Sequence, residues 1–254
     1  MGILNLTPDS FYDGGRYGDN YLERVARMLE EGAAIIDIGG ASTRPGATKV
    51  AADMEWDRIR EPLISIRKTF PNICISVDTY HAKIAEQAIG AGADWINDIS
   101  GGTLDPAMPS VIGKYKVPYV IMHIQGTPAN MQQAPRYGDV VEEINAYFKE
   151  RIGVFMSSGA ITLILDPGFG FGKTLEHNYS LLSNLFRFKE LGLPVMAGLS
   201  RKSLVNKVLN VKAEDALNGT TVLNTIALLN GADILRVHDV KHAMEAIKLV
   251  EMLD

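Results

Sequence analysis

Apolar and polar positions follow two alternating patterns along the chain, one typical of buried strands and the other of amphipathic helices. Short apolar runs rich in Ile, Val and Leu predict strands. The predicted strands are 1–6, 34–38, 73–77, 95–96, 117–123, 161–165, 194–197 and 234–237. Between them, apolar residues recur at the spacing of one helix face. The predicted helices are 21–31, 53–69, 81–90, 108–115, 140–156, 175–190, 201–209, 213–230 and 240–253.

The regular alternation of the two patterns indicates a fold class. Strands and helices that alternate with short connections predict parallel strands joined by right-handed crossovers. About eight such repeats within 254 residues favour a closed barrel over an open doubly wound sheet. No linker or break in composition is visible, so we expect an α/β protein with one domain over 1–254, a (β/α)8 TIM barrel. Two long, glycine-rich connections, 7–20 and 39–52, are typical of functional loops.

Polar side chains gather where the predicted strands end, which is the edge at which α/β folds bind ligands. In segment 161–174 the apolar run stops at Asp166, since Pro167 and the glycines after it end regular structure. The other strands end at or beside Asn5, Arg44, Asp78, Asn97, His123, Lys202 and His238. Helix capping explains each of these residues singly, but their accumulation at one rim predicts a site.

The acceptor groups at this rim suit a flat heterocycle. Asp78 and Asp166 are carboxylates and Asn97 is an amide, and one carboxylate accepts from the two adjacent donors of an amino-amide ring edge. A phosphate loop at 167–174 is excluded, because Pro167 stands where that pattern requires its first glycine.

Cations follow the predicted strands two and eight, at Arg44, Arg236 and His238, and barrels commonly bind phosphate near strands seven and eight. The whole chain is acidic, with a net charge of -5, which argues against a nucleic-acid partner. No apolar run reaches membrane length, and the single Cys74 rules out an internal disulfide. We therefore expect a cytoplasmic protein with neither membrane nor nucleic acid as partner, which binds a phosphate ester of a flat heterocycle.

Eight motifs, in order along the chain, resemble those of the dihydropteroate synthase family, whose members are pterin-binding (β/α)8 barrels. They are MGILNLTPDSFYDGG, GGASTRPGA, SVDTY, NDISGG, MHIQGTP, DPGFGFGKT, GLSRKS and RVHDV. The resemblance implies a transferase of folate biosynthesis that condenses 6-hydroxymethyl-7,8-dihydropterin diphosphate with p-aminobenzoate, giving 7,8-dihydropteroate and diphosphate. It also implies Mg2+ as cofactor, sulfonamides as competitors and a homodimer. Leu6 and Ala41 depart from the Val and Glu of many members, and the stretch that usually precedes the first strand is expected to be absent.

The resemblance also implies a role for individual residues. The pterin would contact Asp78, Asn97, Met122, Asp166, Phe171 and Lys202. The p-aminobenzoate would contact Phe11, Thr43, Pro45, Phe171 and Ser203. The diphosphate would contact Asn5, Thr43, Arg44, Arg236, Val237 and His238, with Asn5 also a Mg2+ ligand. The catalytic residues would be Asp166, Lys202, Arg236 and Arg44.

The implied chemistry is dissociative: diphosphate leaves the methylene carbon, and the aromatic amine then attacks the resulting cation. Two alternatives stay open, a pterin-binding methyltransferase and a pterin-binding module without turnover. His123 is equally suited to a ligand contact and to a structural hydrogen bond. We expect Lys173 at the surface, and no helix has an unmistakable exposed apolar stripe that would predict the dimer interface.

Overall fold

The computed structural model describes residues 1–6, 21–42, 46 and 50–253, and it confirms the (β/α)8 barrel. The strands are β1 Gly2–Asn5, β2 Ile35–Gly39, β3 Cys74–Asp78, β4 Trp95–Asp98, β5 Tyr119–Met122, β6 Leu163–Asp166, β7 Met196–Ala197 and β8 Ile234–Leu235. The helices are α1 Tyr21–Glu30, α2 Ala52–Thr69, α3 Ala82–Gly90, α4 Met108–Tyr115, α5 Val140–Ser157, α6 Leu175–Ser183, α7 Phe186–Lys189, α8 Ser203–Leu209, α9 Leu217–Leu229 and α10 Val240–Val250.

The sheet is parallel throughout and closes on itself. Strands β1 to β6 pair in sequence order, and β7 pairs with β8. The N–H of Leu165 in β6 donates to the carbonyl of Pro194 ahead of β7 (2.9 Å). On the other side, the N–H of Ile3 in β1 donates to the carbonyl of Val237 beyond β8 (3.0 Å). These contacts join the two sheets into one barrel.

Three predicted helices are shorter or divided in the structure. The predicted helix 175–190 ends as α6 at Ser183, because the side chain of Asn184 donates to the Ser180 carbonyl (2.9 Å), and α7 follows as a separate turn. The predicted helix 213–230 begins with a 3-10 turn, Ala213–Asp215, before α9. The last helix ends as α10 and continues as a 3-10 turn, Glu251–Leu253. No described helix is long and apolar enough to cross a membrane.

The barrel interior consists of side chains from alternate strand positions, because successive residues of a strand face opposite sides. An apolar cluster fills it toward the amino ends of the strands: Trp95, Val120, Ile164, Met196 and Ile234. Two residues further along the same strands stand Asn97, Met122, Asp166, Gly198 and Arg236. The polar layer therefore rests directly on the apolar one, at the carboxyl edge of the barrel.

The outward strand faces pack against the helices. The ring of Phe155 in α5 lies 4.3 Å from that of Tyr119 in β5, and neither residue is exposed. The Tyr119 hydroxyl donates to the buried carboxylate of Asp98 (2.7 Å). Asp98 also accepts from the N–H groups of Ser100 and Gly102. Asp98 is therefore a structural residue of the outer layer and not part of the barrel mouth.

We expect Phe155→Ala to lower the free energy of unfolding by about 3–5 kcal/mol, because it leaves a cavity beside Tyr119. The neighbouring Met156 is 62% exposed, so Met156→Ala should change that free energy by about 0.5 kcal/mol or less. Denaturant unfolding of both variants measures the difference. Equal losses would contradict the packing described for α5.

Candidate functional site

The mouth of the barrel contains most of the residues that the sequence predicted for the site. Phe11, Thr43, Arg44 and Pro45 lie outside the described residues, so their predicted contacts stay predictions. The others form two groups that meet in the barrel interior and a third set at the rim.

The first group surrounds the guanidinium of Arg236, which follows β8. Its Nε donates to Asp37 Oδ2 and its Nη2 to Asp78 Oδ2, both at 2.7 Å. The side-chain amide of Asn97 donates to the same Asp37 oxygen (3.0 Å). Burial raises the pKa of Asp78 to about 7, and the guanidinium opposes this shift. Arg236 therefore lies between acidic side chains of the heterocycle side.

The second group contains Asp166, at the end of β6, and Lys202, just before α8. The position that a Cβ on Gly198 would occupy lies 3.5 Å from Lys202 Nζ and 4.0 Å from Asp166 Oδ2, so the two groups are close to each other. Burial raises the pKa of Asp166, and Lys202 opposes that shift. Burial lowers the pKa of Lys202 to about 8, with Asp166 opposing and Arg236 reinforcing the change. Asp166, Lys202 and Arg236 therefore share one mouth.

Phe171 provides a flat apolar surface in this mouth. Lys202 Nζ lies 4.8 Å from the centre of the Phe171 ring and donates to the carbonyl of Phe169 (2.7 Å). Phe171 packs against a small buried cluster that includes Met122. Phe171 and Met122 thus offer apolar walls beside the charged groups, as the sequence predicted.

The rim residues Asn5, Ser203 and His238 surround this mouth. Asn5 Oδ1 lies 3.7 Å from the position of a Cβ on Gly39, beside Asp78. Ser203 begins α8 and is exposed, and the exposed His238 donates its backbone N–H to Ser200 Oγ (3.2 Å).

Val237, which was predicted to contact the diphosphate, uses its backbone to close the barrel. Its backbone N–H donates to the Met1 carbonyl and its carbonyl accepts from Ile3 N–H. The side chain is apolar and only 2% exposed. Both polar groups of Val237 close the barrel, and its contact with the diphosphate stays a prediction.

The donor groups of the rim fit a magnesium ion that a phosphate ligand brings with it. Mg2+ prefers oxygen ligands and commonly takes one or two from the protein, the rest from water and substrate phosphates. The amide oxygen of Asn5 is such a ligand. Within the described residues no group of three His, Cys, Asp or Glu side chains could hold a metal.

Sequence reasoning missed Asp37 and placed Lys173 wrongly. Asp37 is a charged residue within the apolar run IIDIG, two positions before the strand ends, and this was a readable signal of an inward polar position. Lys173 was expected at the surface, but it is only 3% exposed and its Nζ lies 3.0 Å from His123 Nδ1. In this structure His123 makes the structural hydrogen bond.

Comparison with known proteins identifies the family. The sequence profile described as "Pterin binding enzyme" matches residues 1–238. The chain belongs to the pterin binding enzyme family. The dihydropteroate synthase of Escherichia coli K12 is 43% identical over 99% of this chain and 90% of its own length.

Solved structures of pterin binding enzymes share the whole fold. The Yersinia pestis dihydropteroate synthase, solved in a sulfonamide drug complex, has a TM-score of 0.94 and 43% identity, over 100% of this chain and 93% of that one. The Xanthomonas albilineans dihydropteroate synthase, solved with 4-aminobenzoic acid, has a TM-score of 0.92 and 38% identity, over 100% and 92%.

We expect Lys202 to lose its proton near pH 8, well below an ordinary lysine, because its ammonium group is desolvated. Asp166→Asn should lower that pKa further, since it removes the anion that favours the charged form. The 13Cε chemical shifts of labelled lysines, titrated with pH and assigned by loss of one signal in Lys202→Arg, measure both values. A Lys202 titration near 10.5 would contradict the burial described here.

Proposed function

We propose that this chain is a dihydropteroate synthase, which joins 6-hydroxymethyl-7,8-dihydropterin diphosphate to p-aminobenzoate with release of diphosphate. One observation carries the proposal: Asp166, Lys202 and Arg236, from three different strand ends, converge on one mouth with an aromatic ring beside them. The 43% identity to a synthase over nearly the whole chain supports the same reaction.

The pterin ring would lie between Asp166 and the Arg236 group. Its amino group and ring N–H are adjacent donors, and a carboxylate accepts from both. Asp166 is suited to this because Gly168 N–H already holds its Oδ1 (2.7 Å) and Lys202 favours its ionised form. Asp78 and Asn97 would contact the far edge of the ring.

The reaction begins when the bond between the methylene carbon and the diphosphate oxygen breaks, and both electrons leave with the oxygen. The positive charge spreads into the electron-rich ring. Arg236 Nη1 has no acceptor among the described residues, so it can donate to the departing phosphates while Nε and Nη2 keep their carboxylates. Arg44 and His238 are the further groups that we assign to the diphosphate.

The second step forms the new carbon–nitrogen bond. The amine of p-aminobenzoate is neutral at pH 7, attacks the methylene carbon and then releases a proton, so it needs no strong base in the protein. We place the aminobenzoate ring against Phe171, with Ser203 at the start of α8 near its carboxylate. We also assign Phe11, Thr43 and Pro45 to the aminobenzoate, with which a sulfonamide would compete.

We assign Mg2+ as the cofactor, with Asn5 as its protein ligand. A bound Mg2+ ion would neutralise charge on the diphosphate. The amide oxygen of Asn5 suits this role because it lies at the end of β1, beside Asp78 and at the edge of the mouth.

One assay separates the synthase from its two alternatives. Diphosphate release from the pterin substrate is measured with and without p-aminobenzoate, and with EDTA as the metal-free control. A synthase gives dihydropteroate and diphosphate in equal amounts, and EDTA suppresses both. A methyltransferase or a module without turnover gives neither product, and either result would overturn the proposal.

We expect Asp166→Asn to lower kcat/KM for the pterin substrate on the order of tenfold to a thousandfold, because it removes the charge that accepts from the ring edge. Steady-state kinetics of dihydropteroate formation give the value. The matched control is Asp53→Asn, since Asp53 is an exposed carboxylate on α2 that pairs with the exposed Lys83. A near-wild-type Asp166→Asn enzyme would remove Asp166 from the site.

We also propose that the protein forms a homodimer through α9 and works in the cytoplasm. Val222, Ile226 and Leu229 of α9 are 50%, 36% and 58% exposed and lie on one helix face at i, i+4 and i+7. This exposed apolar stripe was not recognised from the sequence. Because the chain has only one cysteine, a reducing compartment suits it.

We expect Ile226→Asp to shift the protein from dimer to monomer, because a buried, unpaired carboxylate is costly at the centre of an apolar interface. Sedimentation equilibrium at several concentrations measures the state. Ile161→Asp, a change at a residue that is 70% exposed outside α9, should leave the dimer intact. A dimer in both variants would place the interface elsewhere.

A further inference from the structure

The loop between β6 and α6, residues 167–174, has no regular structure. Side chains nevertheless donate hydrogen bonds to five consecutive carbonyls of this loop, from Gly168 to Gly172. The donors are Lys173 to Gly168 and Phe171, Lys202 to Phe169, Gln132 to Gly170, and Tyr137 to Gly172. Buried backbone groups need such partners. The loop is therefore held by side chains and not by a backbone ladder.

Lys173 makes the largest share of these contacts. Its Nζ lies 3.0 Å from the Gly168 carbonyl, 2.9 Å from the Phe171 carbonyl and 3.3 Å from the His123 carbonyl. The fourth neighbour is His123 Nδ1 at 3.0 Å. Burial lowers the pKa of His123 to about 2, and Lys173 reinforces this, so the ring is neutral.

A short path leads from Lys173 to the carboxylate of Asp166. Lys173 holds the carbonyl of Gly168, and the N–H of the same Gly168 donates to Asp166 Oδ1 (2.7 Å). The backbone of Gly168 lies close against that of His123: an added Cβ would lie 2.0 Å from the His123 carbonyl, and φ at Gly168 is +70°, so only glycine fits here. A shift of Gly168 would therefore turn the Asp166 carboxylate.

A second path leads from Lys173 to the aromatic wall. Lys173 holds the carbonyl of Phe171, whose ring lies 4.8 Å from Lys202 Nζ. Phe171 N–H in turn donates to the Gly168 carbonyl (3.0 Å), so the two contacts of Lys173 close one turn of the loop. The same amine thus fixes both the carboxylate and the ring that the proposed site presents.

We propose that Lys173 is a positioning residue of this site: buried under the loop, it holds Gly168 and Phe171 so that Asp166 and the Phe171 ring face the pterin. This inference rests on the proposed function, because it takes Asp166 and the Phe171 ring as the groups that contact the pterin. Lys173 itself would touch neither substrate nor product.

A double-mutant cycle tests this role apart from simple stabilisation. The four proteins are the wild type, Lys173→Met, Asp166→Asn and the double variant, and the probe is 6-hydroxymethylpterin, whose fluorescence reports binding without turnover. If Lys173 acts through Asp166, Lys173→Met weakens binding about tenfold in the wild type and less than threefold in the Asp166→Asn background. Equal losses in both backgrounds, or no loss in the wild type, would overturn the proposal.

Two further variants separate positioning from stability and from general charge. Lys149→Met removes an exposed lysine of α5 and should leave pterin affinity unchanged. If Lys173→Met does not fold, as judged by its thermal transition, Lys173→Gln replaces it in the cycle because it keeps two N–H donors. If neither folds, Lys173 is a stability residue and the positioning role is rejected.

Failure of this inference can be told from failure of the proposed function. Coupling between Lys173 and Asp166 is measured by pterin binding alone, whereas synthase activity is measured by product formation in the wild type. A wild type that binds pterin with the expected coupling but forms no product supports the positioning role and overturns only the synthase.

Discussion

The polar layer of this barrel depends on the guanidinium of Arg236, held between the carboxylates of Asp37 and Asp78. Burying a charge is costly unless it is paired and hydrogen-bonded, and loss of one partner of a buried pair typically costs about 3–5 kcal/mol. Asp37 is fully buried and also accepts from Asn97. Asp37, Asp78 and Asn97 lie on β2, β3 and β4, and Arg236 directly follows β8. The network therefore joins strands across the interior.

That network also compensates for the weakest part of the sheet. β7 and β8 are each only two residues long, and single ladder contacts join them to β6 and β1. Because β8 is so short, Arg236 comes directly after it. From there its side chain reaches Asp37 in β2 and Asp78 in β3. Val237 uses both of its backbone groups to close the barrel.

The sequence predicts features that depend on neighbouring residues, such as strands and their ends. It does not predict contacts between residues that are far apart in the chain. Strand ends at Asp78, Asn97 and Asp166 were predictable, because apolar periodicity fixes which residues face inward and the carboxyl edge collects them. The pairing of Arg236 with these acids was not, since it depends on strands far apart in the chain. Lys173 was misjudged for another reason: its acceptors include loop carbonyls, which no pattern of side chains reveals.

The ionisable groups of the mouth also suit the charge that would develop on the pterin in the proposed reaction. Asp37, Asp78 and Asp166 outnumber the cations Arg236 and Lys202 among the described residues that form it. Ionised carboxylates in the interior favour a cationic pterin once the leaving group has gone, since charge placed in advance stabilises the state in which charge develops.

The same carboxylates oppose entry of a diphosphate, so the proposed reaction needs a cation at the rim or a metal that travels with the anion. The amide oxygen of Asn5, at the end of β1 and beside Asp78, is a described group that suits such a metal. In the proposed reaction the rim and the interior then have separate tasks: a metal held at the rim would neutralise the leaving group, and the carboxylates of the interior would stabilise the cation that it leaves behind.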